Sequence, residues 1–152
     1  METKEDTGKQ DQTGAEVVRA YVDRGWLDRH IVRACRDAGW SDGRIVQVCR
    51  DADWSDERIV RACKNADWSD GRIVEACAGA RWTDERVVAA CKGLGWSDLQ
   101  IIYVFKAANW SDKRIIRVFK ASGWVKDRII RICKDAGWSI ERITEALDVA
   151  SA

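Results

Sequence analysis

The 152 residues carry 26 Lys and Arg against 25 Asp and Glu, a net charge of +1, with 46% hydrophobic and 34% charged residues. That balance excludes a polyanion trap and an acidic mimic, and it leaves enough apolar surface for a real core. The opening stretch, Met1 to Asp11, has no apolar run, and no window reaches the ~18 apolar residues of a membrane span. Neither a secretory leader nor a spanning helix is therefore expected.

Residues 1–11 read as a disordered polar tail, and residues 12–152 as a single α-helical tandem-repeat domain. Tryptophan recurs at 26, 40, 54, 68, 82, 96, 110, 124 and 138, a constant spacing of 14. A tenth unit precedes these, Gln12 to Gly25, with Gln12 where tryptophan recurs and with Thr13 and Glu16 spaced as a capping box.

Each following unit predicts one short helix. Ser41, Ser55, Ser69, Thr83, Ser97, Ser111 and Ser139 stand at the N-cap, where a hydroxyl accepts from an orphaned backbone N–H. Asp42, Asp56, Asp70, Asp84, Asp98 and Asp112 follow at the first helical position, where the helix dipole favours an anion. Within Trp54 to Asp67, Ile59, Val60, Ala62, Cys63 and Ala66 share one helical face, and Glu57, Arg58, Arg61, Lys64 and Asn65 cover the other. Gly25, Gly39, Gly95, Gly123 and Gly137 close the helices, with Asp53, Asp67 and Asn109 in the same place. These residues tolerate the left-handed cap that Arg81 should resist. Helices this short need neighbours for stability.

The fold class expected is all-α, an α-solenoid or superhelix of about ten 14-residue single-helix repeats. Every helix carries nearly the same pattern, so each should be related to the next by one screw step. Equivalence favours a corner between helices over a hairpin, although a turn this short permits both.

Cys35, Cys49, Cys63, Cys77, Cys91 and Cys133 lack the paired spacing of a zinc site. Their place is taken by Tyr21, Phe105, Phe119 and Leu147 in other units. They are expected to be reduced core fillers, which suits a cytoplasmic, reducing compartment. Trp40, Trp54, Trp68, Trp82, Trp96, Trp110, Trp124 and Trp138 are expected to staple successive helices rather than to stack on bases. No metal, cofactor or small-molecule substrate is implied. The one histidine, His30, sits on a polar face, and no catalytic motif is present, so the chain reads as non-enzymatic.

Arginine recurs at 44, 58, 72, 86, 114, 128 and 142, usually two residues after an aspartate. Asp–Arg ladders between successive units are the favoured reading. The alternative is a nucleic-acid-binding repeat that follows a phosphate backbone with its Arg- and Lys-bearing face. The leading function is a scaffold for protein–protein interaction or self-assembly, because the exposed positions vary on a constant frame. Candidate binding residues are Leu99 and Tyr103, i, i+4 neighbours on a face that should be polar, with Arg117 and Arg131 at the same exposed position as Tyr103. Val125, Ile140 and Val149 replace a serine, an aspartate and a polar residue, and Ile140 and Val149 join the candidates because the C-terminal units turn less polar where solenoid ends usually turn more so.

Overall fold

The computed structural model describes residues 12–151, with side chains described over 13–148. The expected tail, residues 1–11, lies outside the described residues. These are all helical: α1 (Gln12–Asp23), α2 (Asp28–Asp37), α3 (Asp42–Asp51), α4 (Asp56–Asn65), α5 (Asp70–Gly79), α6 (Asp84–Gly93), α7 (Asp98–Ala107), α8 (Asp112–Ala121), α9 (Lys126–Asp135) and α10 (Ile140–Ser151). The fold class is the expected one, a helical repeat of the solenoid type with one helix per unit. The chain divides between Trp68 and Ser69 into two compact units, one holding α1–α4 and the other α5–α10.

Local chemistry sets each helix boundary. The Ser41, Ser55, Ser69 and Ser111 hydroxyls accept from the backbone N–H three residues on at 3.1–3.2 Å, as does that of Thr83. Leu27 and Val125 hold the same extended backbone but make no side-chain cap bond. At the other end, Gly39 donates to the Arg36 carbonyl at 2.9 Å and Trp40 to the Cys35 carbonyl at 3.2 Å. That pair of bonds is a Schellman motif, which satisfies carbonyls the helix leaves open. It recurs at Trp54, whose N–H reaches the Cys49 carbonyl, and at Trp110, whose N–H reaches that of Phe105. One tryptophan thus closes a helix and, lying just before the next N-cap, opens another.

The closing residue takes positive φ, from 83° to 91° at the five glycines named above and 71°, 72° and 68° at Asp53, Asp67 and Asn109. Arg81 holds φ 68° with a side chain that gains nothing from that conformation. Arg81→Gly is therefore expected to stabilise the protein. A steric relief of about 1–2 kcal/mol exceeds the roughly 0.5–1 kcal/mol that glycine's extra unfolded freedom costs. Denaturant midpoints of the two proteins check this, and a lower midpoint for the glycine variant would refute it.

The first helix departs from the expected capping box. α1 already includes Gln12, so Thr13 lies inside the helix rather than at its cap. No tryptophan precedes Thr13 to fix an extended residue there.

Helices of one unit pack against the next helix and, more extensively, against the next but one. In the first unit α1 lies beside α3 and α2 beside α4. In the second, α5, α7 and α9 form one row and α6, α8 and α10 another. Within each unit, two steps of the repeat bring the chain back alongside itself. The core lies where the rows meet. Ile45, Ile59, Ile73, Ile101, Ile115 and Ile129, each four residues into its helix, are fully buried.

Candidate interaction surface

Most of the residues that invite a chemical reading are structural. Trp54, Trp68, Trp82, Trp96, Trp110, Trp124 and Trp138 are buried, and Trp40 is partly so. Trp110 has Phe105 stacked on it at 4.1 Å and the Arg114 guanidinium over it at 3.7 Å. Trp124 is held likewise by Phe119 at 4.2 Å and Arg128 at 3.8 Å. These rings are committed to the protein's own side chains and leave no face for a base.

All six cysteines are free and buried. Burial pushes the Cys35 thiol up to about 11 against the opposing pull of Arg44, and pushes Cys91 up to about 12 with help from Asp70. Cys133 rises to about 11 for the same first reason, and Cys49 rises well above the ordinary thiol range. Among the described residues no cluster of His, Cys, Asp or Glu is arranged to hold a metal. Thiol labelling of the folded protein should be slow and should accelerate on denaturation, since the thiolate is the reacting form. Fast native labelling of several cysteines would contradict this burial.

The charged positions are also largely spent internally, over a longer step than the sequence suggests. The Arg58 guanidinium donates to both carboxylate oxygens of Asp28, at 2.9 and 3.0 Å, across 30 residues. Arg114 grips Asp84 and Arg128 grips Asp98 in the same two-pronged way, at 2.9 Å, and Arg142 grips Asp112 at 2.6 and 2.9 Å. Gln100 takes the arginine's place against Asp70 at 3.2 Å. The ladder expected between successive units instead joins α2 to α4 in the first unit, and α5, α6, α7 and α8 each to the next helix but one in the second, with their N-terminal ends side by side. Two of the aspartates take a second partner, Lys92 on Asp98 at 2.9 Å and Lys106 on Asp112 at 3.0 Å. Hydrogen bonding from Arg142, then from Lys106, holds the Asp112 carboxyl down at about 2 despite its partial burial. Asp98 is lowered by Arg128 and Lys92 in the same manner.

What remains outward is the variable position that includes Tyr103, Arg117 and Arg131, all exposed. Tyr103 is 53% exposed on α7. Leu99, one turn earlier, is half-buried, so the expected pair is one open aromatic with a partly covered aliphatic beside it. Tyr103 and Arg131 belong to the row of α7 and α9. Arg117 and Ile140 belong to the row of α8 and α10, so the candidates do not form one patch. Ile140 is 51% exposed at the start of α10. Val149 lies in α10, but its side chain is outside those described.

Val125, already marked in the sequence, is 67% exposed, and the structure adds Leu27 at 52% and Trp26 at 42%. Val125 and Leu27 both stand at an N-cap where other units have serine or threonine, and that missing hydroxyl is their sequence signal. No helix among the described residues is long and apolar enough to cross a membrane. No protein-family model matches the chain, and no curated protein matches it either.

Proposed function

We propose that the protein is a non-catalytic scaffold that binds another protein or its own kind through the exposed variable positions. The observation that carries this reading is Tyr103. It is an open aromatic on a frame whose tryptophans from Trp54 to Trp138 are buried and whose repeated arginines are mostly paired. Aromatic side chains with a wet and an apolar side anchor protein interfaces at low entropic cost. Leu99 beside it adds apolar surface, and Arg131 in the same row adds charge. Six free, buried thiols support a reducing compartment, for which we propose the cytoplasm.

The same charge arrangement weakens the nucleic-acid reading. Arg58, Arg114, Arg128 and Arg142 already saturate a carboxylate, and the aspartates stand at the helix N-termini where a phosphate would dock. Salt titration of binding to duplex and single-stranded oligonucleotides separates the two classes. Weak binding with a shallow salt slope is expected. Tight binding that falls with a log–log slope of about −5 or steeper, and that ignores Tyr103→Ala, would favour a phosphate-tracking surface instead.

A further inference from the structure

We propose that the array continues end to end with a second copy of the chain, α1 and α2 of one copy docking on α9 and α10 of the other. This deepens the self-assembly branch of the function proposed above and rests on that reading. The valine position of the repeat follows an isoleucine, or a valine in α1 and α6. Val18, Val32, Val74, Val88, Ile102 and Ile116 are buried there, in helices that each have a next-but-one neighbour in the same compact unit. In α9 the same position, Ile130, is only half-buried, and in α10 Thr144 is exposed.

Two shallow depressions mark the same faces. One, of about 270 Å³, is lined by Asp127, Ile130, Arg131, Lys134 and Asp135. The other, of about 460 Å³, is lined by Ile140, Glu141, Thr144, Glu145 and Asp148. The complementary face opens at the other end. Ala20 of α1 is exposed and Ala34 of α2 half-buried, where Ala62, Val104, Val118 and Ala146 are buried at the equivalent place.

Charge then selects the occupant. Along each row an aspartate at the first helical position meets an arginine, or once a glutamine, on the next but one helix. At the open ends both members change. The aspartate position is Lys126 in α9 and Ile140 in α10, and the arginine position is Glu16 in α1 and His30 in α2. All four are exposed, and none of Lys126, Glu16 and His30 makes an ion pair among the described residues.

In the repeat's own register, α1 of the second copy continues the row of α9 and places its Glu16 against Lys126. The pair has the polarity opposite to every internal rung. α2 continues the row of α10 and places His30 against Ile140, so no like charges meet at this rung in either row. The other register, α1 on α10, would desolvate Glu16 against Ile140 with nothing to pair it.

The rung deeper in the row of α9 supports the same fit. Arg19 and Arg33 reach the carbonyls that end the next-but-one helices, those of Asp51 and Asn65. Arg131 stands at the same position in α9 and would reach the C-terminal end of the second copy's α1, which closes with Asp23. Glu145 holds that position in α10 and would face the end of α2, which closes with Asp37 after Arg36, so in this row the deeper rung does not add to the fit. Such a contact is heterologous, so it closes into a ring or grows into a filament according to the geometry of the step.

Sedimentation velocity of the full chain over a wide concentration range tests this, with circular dichroism confirming that each variant is folded. The wild type is expected to associate. Glu16→Lys and Lys126→Glu should each weaken association about tenfold or more, because like charges then face each other. The double variant, and an equimolar mixture of the two single variants, should restore it, since each then pairs a lysine with a glutamate. A wild type that remains monomeric, single variants that associate as the wild type does, or a failure of the mixture and the double variant to recover would each overturn the proposal. Tyr103 lies outside this contact, so a failed end pairing with Tyr103 still binding a partner would leave the broader function standing. The reverse result would sink that partner surface and keep the end pairing.

Discussion

Trp110→Ala is expected to be among the most damaging single changes in the protein, costing about 3–5 kcal/mol as a buried aromatic truncation. The ring is 3% exposed, with Phe105 stacked on it and Arg114 over it. Its loss empties the Schellman contact of α7, removes the packing that precedes the α8 cap and leaves Arg114 with one partner fewer. Trp82→Ala should be similarly costly, since that ring is 4% exposed under Arg86. Trp26→Ala should be much milder. Trp26 is 42% exposed and keeps Tyr21 stacked on it at 4.2 Å, but the arginine position of its unit is His30. Thermal or urea melts of the three variants give the ranking. Equal and negligible shifts would mean that the tryptophans do not hold the junctions.

The second large effect concerns pH. Asp112 is held at about 2 by hydrogen bonds from Arg142 and Lys106, below the ordinary carboxylate value of 3.8. A carboxylate with a depressed folded pKa adds stability above its unfolded pKa, and that stability is lost as pH falls through the folded value. The side chain is about a quarter exposed (26%), so solvent screening reduces the nominal shift to roughly 1–2 kcal/mol. Asp112→Asn should therefore be less stable than the wild type by that amount at neutral pH. The gap should close between about pH 4 and pH 2 as the wild-type carboxyl protonates. Melting midpoints across that range check it. A gap that stays constant down to pH 2 would mean that the asparagine disturbs packing rather than charge.

The features legible in the sequence are those settled within one unit. The hydroxyl at the cap, the aspartate after it, the tryptophan before it and the left-handed closing residue all act over a few residues. The structure places each where the spacing put it, down to the positive φ of Arg81. The partner of each charge was not legible. Asp28 and Arg58 are 30 residues apart because two screw steps return the chain to the same row, and a 14-residue period does not reveal that angle. The sequence could say only that aspartate and arginine recur together, which suggested neighbours in successive units.

The candidate surface divides in the same way. Tyr103 is open because its position lies on the polar side of its helix, which periodicity predicts. Leu99 shares that side by spacing and is nevertheless half-buried, which periodicity does not predict. Val125 is marked in the sequence by the absent cap hydroxyl, and Leu27 carries the same local signal at the other end of the array. The capping box at Thr13 failed for a related reason. Its two residues have the correct spacing, but the tryptophan that sets an extended cap in later units is absent.

The central claim is that the variable face around Tyr103 contacts another protein. A photo-cross-linking amino acid placed at residue 103, and in a parallel chain at Ala89, tests it in the native cell. Ala89 is the exposed residue at the same position of α6 and lacks an aromatic or a leucine beside it. The expected result is a discrete protein adduct from position 103, unchanged by nuclease, and none from position 89. Adducts of equal yield from both positions, no adduct from 103, or an adduct that nuclease removes would contradict it.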